Sequence, residues 1–379
     1  MALMANPRVI DWAIRRCGLT PQDLKSISPK VQDWVNGTAE PTTKQLARLA
    51  ERTHVLLPYF YEQEPPTLGL QIPDFRTLRP GSAASPSPEL YDTINQMLTR
   101  QDWLSGYLEF SGAKSLHFIG KFSKQDDPKA CASEVCRLLS LEEGWASSIR
   151  PDEAVRSLRK AIEANGVYTC FGSYVGNSTA RTYRVEEFRG FVLADQYAPI
   201  IFVNAKDSKS AQLFTLVHEF AHLLCNESGV DDVEYEDPQK ESFCNAVAAE
   251  VLIPATFVYR VYDNYTHADA VEAMKSNTKA SEVACLRRAR DLGCITTDEF
   301  FSRYKAYASR AKKETKPTRK PGSGPRFYQM QKSKLGELFP ETVFMALKAE
   351  YLMYPDAYDL TGMKASSFAE FYRREGLFV

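Results

Sequence analysis

Hydrophobic residues along most of the chain recur every three or four positions, which is the spacing of amphipathic helices. This pattern predicts four or five short helices within the first 64 residues. It returns over 86–110, 130–141 and 151–165, and again over much of the last third of the sequence. The predicted fold is therefore mostly helical.

Three short runs of β-branched and aromatic residues interrupt the helical pattern. They are Val167–Phe171, Phe188–Leu193 and Ile200–Val203, and turn-forming residues flank each of them. Such runs are typical of strands. We expect them to form a small antiparallel sheet, which places the protein in the α+β class.

One predicted helix, Phe214–Asn226, differs from the others because apolar residues surround nearly its whole circumference. A helix of this kind belongs inside a domain. It carries His218, Glu219 and His222, and residues four apart lie on the same helical face. Both imidazoles can therefore bind one metal ion, while Glu219 is placed to act as a general base on a metal-activated water.

A third metal ligand is available in Glu241, which opens the next apolar helical stretch. Two histidines with a glutamate from a second helix form a known catalytic zinc arrangement. The alternative is that Glu241 is a solvated member of the acidic run 231–241. We expect it to be a ligand, because an apolar helix begins beside it and can pack against the first.

The order of these features resembles the ImmA/IrrE family of zinc metallopeptidases. The resemblance rests on Pro199–Asn204, the His-Glu-x-x-His helix, Glu241-x-x-Cys244-Asn245, Ala248-Ala249-Glu250 and Ile253-Pro254. It covers about 161–258 and implies a zincin-like core with Zn²⁺ held by His218, His222 and Glu241, and Glu219 as general base. Cys244 stands where the family usually has alanine. The resemblance also implies that substrates are repressor-type transcription regulators, cut in stress response or mobile-element control.

The first 64 residues resemble the helix-turn-helix domain of XRE-type regulators, through Trp34-x-x-Gly37-x-x-x-Pro41-Thr42. The resemblance implies that a helix over Ser28–Asn36 enters the DNA major groove. However, that stretch offers only Lys30 as a positive charge, and the helix before it is shorter than usual. DNA binding needs phosphate contacts as well as base contacts. We therefore expect weak DNA binding, with a protein-docking surface as the alternative role.

Composition suggests where the domains end. A Pro-, Gly- and Ser-rich stretch over 65–88 predicts a linker between an XRE-like domain, 1–64, and a peptidase domain, 89–309. Within this linker, Ile72–Thr77 resembles a D-F-R segment of fused family members. A basic, Pro-rich stretch over 310–326 predicts a second linker, which leads to a C-terminal helical unit at 327–379.

Overall composition argues against several partners. The formal net charge is −1, so no global field favours nucleic acid or membrane. No apolar run reaches the roughly 18 residues of a membrane span, and the N-terminus is too polar for a signal peptide. Eight cysteines without disulfide-type spacing favour reduced thiols. We expect a cytoplasmic protein with no cofactor besides Zn²⁺, and the sequence leaves its oligomeric state open.

Three functions remain open on the sequence alone. The first is a zinc endopeptidase that cleaves a repressor-like regulator. The second is a toxin or phage-defence effector whose partner is an antitoxin. The third is a DNA-binding regulator with a structural or sensory zinc site. A neighbouring gene for a small repressor or antitoxin would separate the second from the first.

Overall fold

A computed structural model describes residues 4–17, 19–66, 75–77, 87–225, 238–313 and 327–377. The chain forms two compact units, one of Met1–Gln71 with Arg79–Gln96 and one of Ile72–Leu78 with Met97–Val379. Most of the predicted linkers 65–88 and 310–326 and most of the acidic run 231–241 lie outside the described residues. The prediction of a mostly helical α+β protein is confirmed.

The first unit is helical. It contains α1 (Pro7–Cys17), α2 (Pro21–Ile27), α3 (Val31–Val35), α4 (Thr43–Thr53), a 3₁₀ helix (Leu57–Tyr61) and, after β1 (Phe75–Thr77) of the other unit, the first turns of α5 (Pro88–Phe110). The buried side chains of Ile10, Trp34, Leu46 and Phe60 belong to its core.

The helix predicted from Ser28 begins later than expected. Ser28 is extended, with φ −164° and ψ 141°, and its N–H closes α2 by donating to Leu24 O at 3.0 Å. Ser28 is therefore outside the helix, Pro29 and Lys30 form a turn, and α3 contains only the five residues Val31–Val35.

The second unit contains the sheet and most of the helices. After β1 and the remaining turns of α5, its elements are α6 (Pro128–Leu138), α7 (Pro151–Ala164), β2 (Tyr168–Gly172), β3 (Phe188–Leu193), β4 (Ile200–Asn204), α8 (Lys209–Cys225), α9 (Pro238–Leu252), α10 (Ala255–Asn264), α11 (His267–Thr278), α12 (Glu282–Asp291), α13 (Thr297–Lys313), α14 (Phe327–Leu335), α15 (Leu338–Lys348), α16 (Tyr354–Thr361) and α17 (Ala365–Arg374).

The sheet is mixed, and the expectation of a purely antiparallel sheet is wrong. Its strand order in the described residues is β1-β3-β4-β2, with β3 antiparallel to both neighbours and β2 parallel to β4. The long connection 173–187 lets the chain cross β4 before β3 begins, whereas the pattern of the strands carries no information about this crossing. β2 and β4 are buried along their whole length, so both faces of the sheet are covered.

A glycine sets the distance between the sheet and α8. A Cβ on Gly190 of β3 would collide with Thr215 Cγ2 of α8 and lie 2.7 Å from the carbonyl oxygen of Phe202. Only glycine permits this approach. α8 packs against β3 and β4, whereas α7 packs against β2. The apolar helix with the two histidines therefore lies over the half of the sheet that ends in β1.

The C-terminal helices pack on the other end of the sheet, where α14 contacts β2. Gly336, which has φ +79°, separates α14 from α15. The Glu163 carboxylate of α7 accepts the N–H of Glu337 at 2.9 Å at this break.

In the described part of the chain, no single helix has the length and apolar character needed to cross a bilayer. A bent pair, Glu241–Leu252 with Ala255–Asn264, satisfies the criterion by length and composition only.

Candidate metal centre

The start of α8 is fastened to the end of β4. Ser208 Oγ accepts the N–H of Ala211 at 3.2 Å, which caps the first turn. The Gln212 amide donates to the carbonyl oxygens of Ala205 at 3.1 Å and Asp207 at 2.8 Å. These bonds fix where the helix begins, and therefore where its histidines lie relative to the sheet.

His218 and His222 lie side by side on α8, as their spacing predicts. Both are buried, with 0% and 2% of their surface exposed. Their Nε2 atoms are 2.9 Å apart and their rings are 4.6 Å apart at 74°. Phe214, one turn earlier, stacks against His218 with ring centroids 6.0 Å apart. The two imidazole nitrogens thus converge in an apolar interior.

Glu241 joins them from the first turn of α9, which packs directly on α8. Its Oε1 lies 3.0 Å from His222 Nε2, and its Oε2 lies 3.5 Å from His218 Nε2. Burial alone would raise the pKa of this carboxyl, but hydrogen bonds from the two imidazoles and their positive charge hold it well below its usual range. The carboxylate is therefore ionised, which is the form that binds a metal ion.

Together the three residues offer ligand atoms that all lie within 4.8 Å of one another. Two imidazoles and one carboxylate form a donor set that suits Zn²⁺ and leaves a coordination position open. The residues present therefore fit the metal that the sequence predicts.

The far end of α9 is held by an ion pair. The Glu250 carboxylate accepts the N–H of Ala255 at 3.2 Å and pairs with the guanidinium of Arg288 on α12. Arg288 also donates to the carbonyl oxygen of Ile253 at 3.0 Å. These contacts fix the end of α9 opposite Glu241 and so stabilise the position of the helix that delivers the third ligand.

Glu219 is adjacent to the cluster but is not one of the three grouped ligands. Its side chain is 1% exposed and faces β3, where its Oε1 lies 3.3 Å from the position that a Cβ on Gly190 would occupy. The carboxylate is thus held between α8 and β3, one residue from His218. A buried carboxylate beside a metal centre is suited to proton transfer.

A contact that the sequence analysis missed lies behind His222. The thiol of Cys244 is buried, and its Sγ lies 3.5 Å from His222 Nδ1. Cys244 follows Glu241 by three residues, and residues at this spacing share a helical face. The spacing could therefore have indicated that position 244 also faces the histidines.

Several polar residues after α9 are occupied elsewhere. His267 Nδ1 lies 3.0 Å from Glu299 Oε1, and its ring packs against Tyr262 at 5.3 Å. Burial raises the pKa of Tyr262 to about 12. Tyr259 and Tyr265 are about half exposed. The grouping of His218, His222 and Glu241 includes none of these side chains.

A His/His/Glu group with both histidines buried, on two packed helices beside a small mixed sheet, is the kind of centre that metallopeptidases use. Residues 169–290 match the sequence model of the family Peptidase_M78, described as the IrrE N-terminal-like domain. The matched segment contains both histidines, both glutamates and Cys244, and it supports the resemblance of this part of the chain to the ImmA/IrrE peptidases. No curated protein matches the chain significantly.

Proposed function

We propose that the protein is a zinc-dependent endopeptidase with a zincin-like core, in which His218, His222 and Glu241 hold the metal. The observation that carries the proposal is the convergence of these three ligand atoms within 4.8 Å on two packed helices. The family match of residues 169–290 supports a metallopeptidase role for the same segment.

The chemistry follows from the residues around the centre. When bound, Zn²⁺ supplies a Lewis acid with one open coordination position. Glu219 takes the proton of the attacking water as the peptide carbonyl is hydrolysed and passes it to the leaving amine. No serine or cysteine nucleophile is required, because water attacks directly.

The substrate that we propose is a cytoplasmic protein, either a repressor-like regulator or an antitoxin, cleaved in stress response or mobile-element control. The support is the resemblance to the ImmA/IrrE peptidases together with the XRE-like pattern of the first 64 residues. In this proposal, the N-terminal helical unit binds protein in preference to DNA.

Metal analysis tests the ligand set. We expect about one zinc per chain after purification without added metal, and little zinc in His222→Ala. His267→Ala is the matched control, because His267 is paired with Glu299 and lies outside the grouped ligands. Full zinc content in His222→Ala would remove that histidine from the site.

A conservative change at Glu219 tests the catalytic role. Gln has nearly the same shape as Glu but cannot take a proton. Glu219→Gln should therefore keep both zinc and thermal stability while losing cleavage of an unfolded protein such as β-casein by about 10²-fold or more. Cleavage at the wild-type rate would place the base elsewhere. If the zinc were purely structural, Glu219→Gln would change no measurable activity of the protein.

A further inference from the structure

The segment expected to be a linker contributes a strand to the peptidase sheet. β1 pairs antiparallel with β3, with Phe75 opposite Phe191 and Thr77 opposite Phe188. These partners lie on either side of Gly190, the residue at which β3 approaches Thr215 and Glu219 of α8. β1 thus pairs with the part of β3 that contacts the candidate base, Glu219.

The two edges of the sheet differ in what lies beside them. α14 contacts β2 at one end, and β1 pairs with β3 at the other. α8, with both histidines, packs on β3 and β4. A peptide substrate that adds as a strand near the candidate centre must therefore pair with β3 on the side away from β4. That side is where β1 lies.

We propose that β1 is a self-blocking strand: it occupies the edge of β3 on which an extended substrate has to pair, and a substrate must displace it before cleavage. This inference rests on the proposed endopeptidase function. It also specifies the substrate class, which is an unfolded or extended segment able to form a strand.

The properties of β1 suit a displaceable occupant. It is only three residues long, and its pairing is irregular between Phe75 and Thr77. So short a pairing is weak by itself. Because β1 is covalently attached, however, its effective concentration is high, on the order of millimolar. Peptides that bind weakly are then excluded from the edge of β3, whereas a substrate that makes further contacts with the protein can displace β1.

The first test measures whether the edge is occupied. In the full-length, zinc-loaded chain carrying Glu219→Gln to prevent cleavage, Phe75→Pro with Thr77→Pro removes two backbone donors of β1 and weakens its pairing. The probe is a fluorescent peptide with the chain's own sequence Ile72–Leu78. Ser82→Pro with Ala84→Pro is the matched control, since it adds the same number of prolines to the same connecting segment.

We expect the peptide to bind the β1 variant at least tenfold more tightly than it binds the parent or the control, measured by fluorescence anisotropy. Hydrogen exchange of the Phe188–Leu193 amides should also be faster in the β1 variant and slow again when the peptide is added. Equal peptide binding in all three proteins would overturn the proposal, whether or not the protein is a peptidase.

The second test measures blocking, in chains that keep Glu219. The β1 variant should cleave β-casein at least threefold faster than wild type, and the Ile72–Leu78 peptide should inhibit it. A peptide that binds without inhibiting, or an unchanged cleavage rate, would overturn the blocking role. Peptide binding can still distinguish the β1 variant from the parent and the control when neither wild type nor the β1 variant cleaves casein. That result would contradict the proposed peptidase function but support the occupation of the β3 edge by β1.

Discussion

At the scale of single residues, the two nitrogens of His222 have different neighbours. Nε2 faces Glu241 at 3.0 Å, and Nδ1 faces the thiol of Cys244 at 3.5 Å. A histidine that binds a metal through one nitrogen usually donates a hydrogen bond from the other, which fixes the ring. Sulfur is a weak acceptor, so this arrangement orients His222 less strongly than an oxygen would.

This contact predicts an effect of Cys244 on metal affinity. Cys244→Ala should weaken zinc binding by about tenfold, because the His222 ring loses the partner that orients it. Cys244→Ser should bind zinc at least as tightly as wild type, since a hydroxyl oxygen accepts a hydrogen bond better than sulfur does. Competition with a chromogenic chelator measures both variants. Equal affinity of the alanine variant and wild type would show that the thiol only fills space.

Gly190 predicts an effect on stability. Gly190→Ala should lower the free energy of unfolding by about 1–3 kcal/mol, because the added methyl meets Thr215 and the Phe202 carbonyl oxygen. Gly106→Ala is the control, since its methyl has room beside Tyr351 Oη at 3.8 Å and lies within α5, where alanine is favoured. Urea denaturation compares the two. Equal stability of both variants would contradict the close approach of β3 and α8.

At the scale of elements, the C-terminal helices are held to α7 and β2 by buried polar groups. Glu163 of α7 accepts from Arg159 Nε at 3.1 Å and from the backbone of Glu337 at 2.9 Å. Next to it, the hydroxyls of Tyr168 and Thr342 lie 3.0 Å apart. Buried polar groups that are all paired specify one docking position.

Gly336 is the position most sensitive to change in this contact. Gly336→Ala forces a left-handed φ of +79° on alanine and brings its methyl against the Glu163 carboxylate and within 3.1 Å of Arg159 Nη2. We expect a loss of about 2–4 kcal/mol in the free energy of unfolding. Gly376→Ala has a similar φ of +75° with open space around it, so it should lose only about 1–2 kcal/mol. Thermal and urea unfolding measure both variants. Equal losses of stability in Gly336→Ala and Gly376→Ala would contradict the steric clash at Gly336.

Secondary structure was predictable where the pattern is local. The helices over 86–110, 130–141 and 151–165 and the three strand runs appear close to their expected bounds. The helix α11 was not predicted separately, because most of its apolar positions are alanines. The direction of β2 and the pairing of β1 were not predictable either, since both depend on partners far away in the sequence.

At the scale of the whole molecule, the first unit presents little positive charge where a DNA-reading helix would be. α3 has five residues, and the exposed residues in and beside it, Lys30, Gln32, Asp33 and Asn36, include a single cation. Without several phosphate contacts, a protein gains little of the counterion release that drives binding to duplex DNA.

We therefore expect the full-length chain to bind duplex DNA only in the micromolar range or more weakly, without sequence preference and with a shallow salt dependence. Fluorescence anisotropy with several unrelated duplexes between about 50 and 200 mM salt measures this. Nanomolar binding to one sequence at physiological salt would contradict the expectation and favour the DNA-binding regulator.

The sequence by itself determined the local chemistry of the protein. The four-residue spacing of His218 and His222 places them together in any helix, because helical geometry depends only on the backbone. Tertiary structure decided the rest. It turned Glu219 towards Gly190 and set β1 against β3. These arrangements depend on the packing of distant surfaces, which no local pattern of side chains records.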